Sequence, residues 1–329
     1  MAQLHRSCFV LAADAKNFPY AVLGARRILD VSAPIDGFIL HIGAGTEDLP
    51  VADRLLGAAV KIVDVSDLMK EFDFDPGHLS VATYIRLLAD KLAVFEPYDR
   101  LVYVDTDVIF NRSITDLADV ELNAPLLAAH DEQTYFDPSC RESLEMEPGS
   151  SHFNAGILVL NMPMIRAEGL LERARELALR RVPKLDQGAL NIAFAGRWQT
   201  MHPLWNLQTN YSSQIPFSRA FARHFTFGKP WWPSPEGVEL AAMAIYRNLA
   251  KDTPWLDRFK RPLWTRGLRK RLLRKFDGLS GIILNKEKYR RRFRFSAERC
   301  TAIFAAQADQ GMMAATYPEV LMGVVKLRK

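Results

Sequence analysis

The chain is poor in cysteine and carries no long apolar run. Its three cysteines, Cys8, Cys140 and Cys300, are odd in number and far apart. That argues against a disulfide framework or a cysteine zinc site, and for a reducing compartment. No apolar stretch approaches the length of a membrane span. A short run near the start, Cys8 to Ala13, stops at Asp14; it is too short for the apolar segment of a secretion leader and reads as a first β-strand. Internal repeats and low-complexity tracts are missing too. So is a glycine-rich loop after the first strand, where Ala12-Ala13-Asp14-Ala15 stands instead. A nucleotidyltransferase would be expected to cradle its phosphates on such a loop.

What is present suits a sizeable folded core: 329 residues, 49% of them hydrophobic, enough for about two domains or one large α/β domain with an appendage. The net charge of +5 is unevenly spread. Residues 257–294 hold 15 Lys/Arg against 3 Asp/Glu, a local +12, which leaves about −7 for the rest. The expected division is 1–240 as a catalytic body and 241–329 as a basic, helical C-terminal region. In that region Trp264, Leu268, Leu272, Phe276, Leu279 and Ile283 form an apolar stripe at helical spacing, with Arg and Lys on the other faces. This pattern suits a helix lying on an anionic membrane surface. Nucleic acid ranks lower as a partner, because no nucleic-acid motif accompanies the charge and the body is acidic.

Apolar runs alternate with helical patterns along the body. Residues 9–13, 37–42, 60–65, 101–104, 126–129 and 157–161 read as strands. Residues 19–29, 53–59, 82–95, 167–181 and a short stretch to 194 read as helices. The alternation predicts an α/β fold with a largely parallel sheet, whose ligands sit outside the carboxyl ends of the strands. Segment 82–95 has the clearest helical stripe: Ile85, Leu88, Ala89, Leu92 and Phe95. Arg86 lies off that stripe and, on pattern alone, is a solvated side chain. Asp186, on pattern alone, is a helix N-cap.

The body is organised around Leu101-Val102-Tyr103-Val104-Asp105-Thr106-Asp107, a buried strand with two carboxylates at its end. On an extended backbone the i, i+2 spacing points both to one side. No Lys or Arg stands between them, so a divalent cation with oxygen ligands is the simplest source of balancing charge. Asp73-Phe74-Asp75 repeats the pattern but follows no apolar run and precedes Pro76-Gly77, which makes it a turn.

Several pieces in order then resemble glycosyltransferase family 8, the group of glycogenin and the bacterial lipopolysaccharide galactosyl- and glucosyltransferases. They are Ala12-Ala13-Asp14, Thr83-Tyr84-Ile85-Arg86-Leu87, Tyr103-Val104-Asp105-Thr106-Asp107, Phe153-Asn154-Ala155-Gly156, Leu185-Asp186-Gln187 with Leu190-Asn191, Thr209-Asn210-Tyr211, and His224-Phe225 followed by Lys229-Pro230-Trp231. The resemblance implies a GT-A fold, a mostly parallel mixed sheet flanked by helices, and a hexosyltransferase that takes galactose or glucose from a UDP-sugar with retention. It implies Mn2+, with Mg2+ as the alternative, held by Asp105, Asp107 and His224. Donor contacts are implied at Ala12, Asp14, Asn17, Arg86, Asp105, Thr106, Asn154, Asp186, Gln187, Gly228 and Lys229, with Asp186 and Gln187 as the catalytic pair. His224 and Lys229 are five residues apart, where the family pattern has six. The implied acceptor is a cell-surface glycan or glycolipid such as lipopolysaccharide, reached from the cytoplasmic face of the membrane. The loop 132–151 and Trp205, Trp231 and Trp232 are expected to shape its site. A catalytically silent GT-A-fold module that docks on a membrane or a protein partner is the alternative function.

Overall fold

The structure, a computed structural model, describes residues 6–259 apart from 78, 132–141, 145, 148–149, 209–216, 227 and 232–239. The basic stretch from 260 onward, Thr209-Asn210-Tyr211 and Trp232 therefore lie outside the described residues, as does much of the loop 132–151. The chain divides into two compact units, Met1–Met201 and His202–Lys329.

The first unit is built on strands β1 (Ser7–Asp14), β2 (Asp36–Ile42), β3 (Val60–Asp64), β4 (Arg100–Val104), β5 (Val108–Phe110), β6 (Leu126–His130), β7 (Phe153–Asn161) and β8 (Trp198–Thr200). Seven of them form one sheet in the order β3-β2-β1-β4-β7-β6-β8. Neighbours run parallel except β7, which is antiparallel to both β4 and β6. The carboxyl ends of β1, β4 and β6 and the amino end of β7 consequently meet at one edge. The sheet is the mostly parallel, mixed type that the resemblance implied. Helices α1 (Phe18–Val31), α2 (Leu49–Leu56), α3 (Ser66–Lys70), α4 (Thr115–Ala118), α5 (Met162–Glu168), α6 (Leu170–Leu179) and α7 (Leu185–Ala193) connect the strands.

Alternation along β1 sorts its side chains between two layers. Cys8, Val10 and Ala12 join the core that contains Tyr84, Ile85 and Leu88. Leu11 faces α1 so closely that a Cβ on Gly24 would sit 3.3 Å from Leu11 Cδ2. Gly37 of β2 leaves room for the Phe9 ring, which a Cβ there would meet at 2.3 Å.

Four local expectations are corrected. Segment 82–95 is not an α-helix: Val81–Lys91 winds with i→i+3 bonds, starting from Ser80, whose Oγ accepts from the Ala82 amide at 3.2 Å. Three residues per turn eclipses Thr83 and Arg86, so both side chains present one edge. The helix expected over 167–181 is two, broken at Gly169, which takes φ +63°. The helix expected over 53–59 starts earlier, at Leu49. Strand β7 begins at Phe153, so Asn154-Ala155-Gly156 lies within it rather than in front of it.

The second unit contains β9 (Leu207–Gln208), β10 (Ala222–His224) and α8 (Leu240–Leu249), with β9 and β10 parallel. Tyr246 of α8 stacks on Phe259 with ring centres 5.6 Å apart. Trp205, expected near the acceptor, is instead a core residue of this unit, edge-on to Phe221 at 5.0 Å. Trp231 meets Tyr246 edge-on at 5.7 Å. Among the described residues, no helix is long and apolar enough to cross a membrane.

Candidate active site

The strand ends of the first unit border a cleft of about 170 Å³. Ala12, Asp14 and Asn17 line it from β1 and the turn into α1. Thr83 and Arg86 line it from the 3-10 segment, and Tyr103, Asp105, Thr106 and Asp107 from the end of β4. Asp14 Oδ1 accepts from the Asn17 amide at 2.8 Å and shapes that turn. The backbone is not extended through Asp105-Thr106-Asp107. It turns, with the Val108 amide donating to the Asp105 carbonyl at 3.2 Å, and the Asp105 amide is tied to the Gly156 carbonyl at 2.8 Å. The i, i+2 spacing therefore brings the carboxylates together through a turn, not through a strand.

Arg86 is the centre of the cleft's polar network and is only 6% exposed, so it is not the solvated side chain that spacing alone suggested. Its Nη2 donates to Asp105 Oδ1 at 2.7 Å and its Nε lies 3.1 Å from Asp186 Oδ2. Its Nη1 donates to the Ala155 carbonyl, and its Nε also reaches the Thr83 carbonyl at 3.0 Å. The Tyr103 ring lies under the guanidinium, with Cζ 4.4 Å from the ring centre, and the Tyr103 hydroxyl donates to Asp105 Oδ1 at 3.1 Å. Burial opposes the guanidinium's charge, but Asp105, Tyr103 and Asp186 outweigh it and raise its pKa. Positive charge was expected beside the aspartates, and this chain supplies part of it from a residue 19 positions away.

Asp186 is not the N-cap of α7; Lys184 holds that position. The Asp186 carboxylate is 3% exposed and turns to the 3-10 segment, where Thr83 Oγ1 donates to Oδ1 at 2.8 Å. Burial raises its pKa against the pull of Arg86 and Thr83. The entry to α7 is strained, with left-handed backbone at Lys184 (φ +67°) and Leu185 (φ +56°). Gly188 makes the tight approach possible: a Cβ there would lie 1.8 Å from the Pro183 carbonyl oxygen.

Gln187 is held at both ends. Its Nε2 donates to Asp131 Oδ2 at 3.0 Å, and its Oε1 accepts from the Ala155 amide at 3.0 Å and from Asn154 Nδ2 at 3.5 Å. Asn154 Oδ1 accepts from the Gly156 amide at 3.0 Å. Asn191 binds helix to strand, accepting from the Phe153 amide at 2.8 Å and donating to the Phe153 and Gln187 carbonyls. Asp131 is the site residue that sequence reasoning missed. The signal was there: it directly follows β6, whose carboxyl end shares an edge with those of β1 and β4. The Asp131 amide also donates to the His152 carbonyl at 3.0 Å, so the chain returns beside its point of departure.

In the second unit, His224 is buried at the end of β10 and its Nδ1 pairs with Asn206 Oδ1 at 2.9 Å. With the carboxamide oxygen as acceptor, Nδ1 carries the proton and the ring's lone pair is on Nε2, the tautomer a metal-binding imidazole needs. Lys229 Nζ donates to the Phe225 carbonyl at 2.7 Å, within its own loop, and Gly228 is buried beside it. The two carboxylates on one turn are hard oxygen donors of the kind Mn2+ or Mg2+ takes, and an imidazole in this tautomer is of the kind Mn2+ accepts.

The chain is similar in sequence and in fold to several known proteins. Over 158 residues the chain is 26% identical to General stress protein A of Bacillus subtilis, covering 46% of this chain and 54% of that protein. Glycosyltransferase GlyB of Streptococcus pneumoniae is 27% identical over 261 residues, 76% of this chain and 56% of that one. Lipopolysaccharide 1,3-galactosyltransferase of Salmonella typhimurium is 27% identical over 167 residues, 46% of this chain and 49% of that one. The chain thus spans about half the length of these curated relatives. A crystal structure of galactosyltransferase LgtC, in complex with donor and acceptor sugar analogs, superimposes with a TM-score of 0.65 at 23% identity, covering 76% of this chain and 99% of that one. The fold is accordingly the GT-A fold of that enzyme. Residues 51–232, more than half of the chain, match Glycosyl transferase family 8, and the chain belongs to that family.

Proposed function

We propose that this protein transfers a hexose, galactose or glucose, from a UDP-sugar to a hydroxyl of a glycan or glycolipid, with retention of configuration. The observation that carries the reading is the Asp186–Arg86–Asp105 line of charges at the cleft. It joins the helix with the catalytic pair to the strand end with the paired aspartates. The named activities of the relatives favour a sugar acceptor, and the Salmonella relative favours one of the lipopolysaccharide class.

Asp105 and Asp107, with His224 added by the family resemblance, would hold the divalent cation. When bound, such a cation neutralises diphosphate oxygens so that UDP can leave. Arg86, Asp186 and Asn154 orient the hexose, and Asp14 and Asn17 face the nucleoside. Lys229 supplies a point charge to the phosphates on release from the Phe225 carbonyl. Gln187 positions the sugar rather than attacking it, since both ends of its carboxamide are already hydrogen-bonded and an amide is a poor nucleophile. The acceptor oxygen forms its bond to the anomeric carbon on the face where the bond to the phosphate oxygen breaks. Its proton passes to that departing oxygen. Trapping a glycosyl adduct on the Gln187 side chain would reinstate a covalent route.

The basic region from 257 onward would bring the enzyme to an anionic membrane surface at its cytoplasmic face. The deciding experiment is UDP release from a panel of UDP-sugars with Mn2+, with Mg2+ and after metal removal. Release from UDP-galactose or UDP-glucose that stops on chelation is the expected result. Turnover indifferent to chelation, or none with any UDP-sugar, would overturn the reading.

A further inference from the structure

One oxygen of Asp105 serves two donors from different elements. Arg86 Nη2 reaches Oδ1 at 2.7 Å from the 3-10 segment, and the Tyr103 hydroxyl reaches the same atom at 3.1 Å from β4. Tyr103 stands two residues before Asp105, lines the cleft and is 3% exposed. It touches both members of the ion pair, with its ring beneath the guanidinium and its hydroxyl on the carboxylate. The proposed reaction gives Arg86 and Asp105 their tasks and gives this phenol none. If packing under Arg86 were its only duty, a phenyl ring would serve as well, without the need to accommodate a buried hydroxyl. The terminal torsion of an aspartate is soft, so a carboxylate with a single partner can rotate. Two donors converging on one oxygen from different directions fix its plane.

We propose that Tyr103 is a positioning residue for cation binding: its hydroxyl, together with Arg86, locks the plane of the Asp105 carboxylate so that one orientation meets the metal. This rests on the reading of Asp105 as a metal ligand. Groups hydrogen-bonded to a ligating side chain are typically worth about 10–100-fold in metal affinity. A single neutral hydroxyl belongs at the lower end of that range.

The test is Mn2+ titration of the full chain, followed by the electron paramagnetic resonance of the free ion, with and without UDP. Wild type, Tyr103→Phe and Asp105→Asn are compared. The expected order is binding by wild type, binding about 10-fold weaker in Tyr103→Phe, and loss in Asp105→Asn. Affinity in Tyr103→Phe equal to or tighter than wild type overturns the inference and leaves the proposed function standing. Failure of wild type to bind Mn2+, with or without UDP, overturns the metal reading and the inference with it. Should Tyr103→Phe melt too low for titration at room temperature, the rise in melting temperature on adding Mn2+ and UDP is compared between the two proteins. Each is measured from its own metal-free baseline. A smaller rise in the variant supports the inference, and an equal rise defeats it.

Discussion

Arg86 holds two carboxylates, two backbone carbonyls and an aromatic face at once, and only a guanidinium has the donors and the plane to do so. Arg86→Lys keeps the charge and loses the fork. With Asp105 and Asp186 no longer tied together, kcat/KM is expected to fall about 100-fold, the scale of a misplacement near 1 Å; steady-state kinetics with the best donor reads this. Asp186→Asn leaves the buried guanidinium with half its compensation. It is expected to cost about 3 kcal/mol of stability, measured as a drop in the urea midpoint at unchanged slope. Gln187→Ala should lower transfer about 100-fold, as loss of a positioning group does, while leaving Mn2+ affinity intact, because the side chain touches strand β7 and Asp131 rather than the paired aspartates. Asp14, Asp105 and Asp107 were legible in the sequence, since a carboxylate after an apolar run is a local pattern; Asp131 carries the same sign after β6 and was missed. Arg86 was not legible from spacing. Its pattern is that of an exposed helical residue, and the partners that bury it come from segments 19 and 100 positions onward. The family motif, not the periodicity, pointed to it.

The elements that place these residues are less regular than their sequences suggest. Residues 82–95 satisfy α-helical spacing, yet eclipsed winding wins where Thr83 and Arg86 must face Asp186 together. Helix α7 begins from two left-handed residues and closes on Gly188. Gly188→Ala would force Pro183 to Leu185 outward and carry Asp186 and Gln187 with them. The expectation is a loss of about 1–3 kcal/mol in stability and a fall in kcat beyond what thermal denaturation explains; melting curves and kinetics on the same preparation separate the two. The positions of β1 to β4, β6 and the second half of β7 were legible because apolar runs mark them; the short strand β8, Trp198-Gln199-Thr200, was not, because it contains no such run. The reversed direction of β7 was not, because a strand buried on both faces carries no local sign of which way it runs.

At the scale of the molecule, buried histidines set the acid limit. Burial pushes the pKa values of His130, His152 and His202 down to about 4 from 6.5. Below pH 6.5 the unfolded chain binds protons that the folded chain refuses, so stability drops as pH falls toward 4, by up to about 3 kcal/mol per histidine. Urea midpoints taken between pH 7 and pH 4 should decline over that window and not above it. The basic region is tested by sedimentation with anionic vesicles and with duplex DNA, comparing the full chain with one ending at residue 259. Vesicle binding that survives the deletion would remove the membrane proposal, and DNA binding lost with the deletion would favour nucleic acid. The division into an acidic body and a basic end was plain from charge alone. The acceptor was not, because nothing in residues 132–151 spells a chemistry.

The backbone bond from Asp131 to His152 is a clasp at the mouth of that excursion. Its two anchors stand directly beside the carboxamide of Gln187 and the start of β7. A descendant chain can lengthen, shorten or rewrite what lies beyond the clasp without moving either anchor. On the proposed function, such a layout would let the choice of recipient drift from lineage to lineage while the donor machinery is inherited whole.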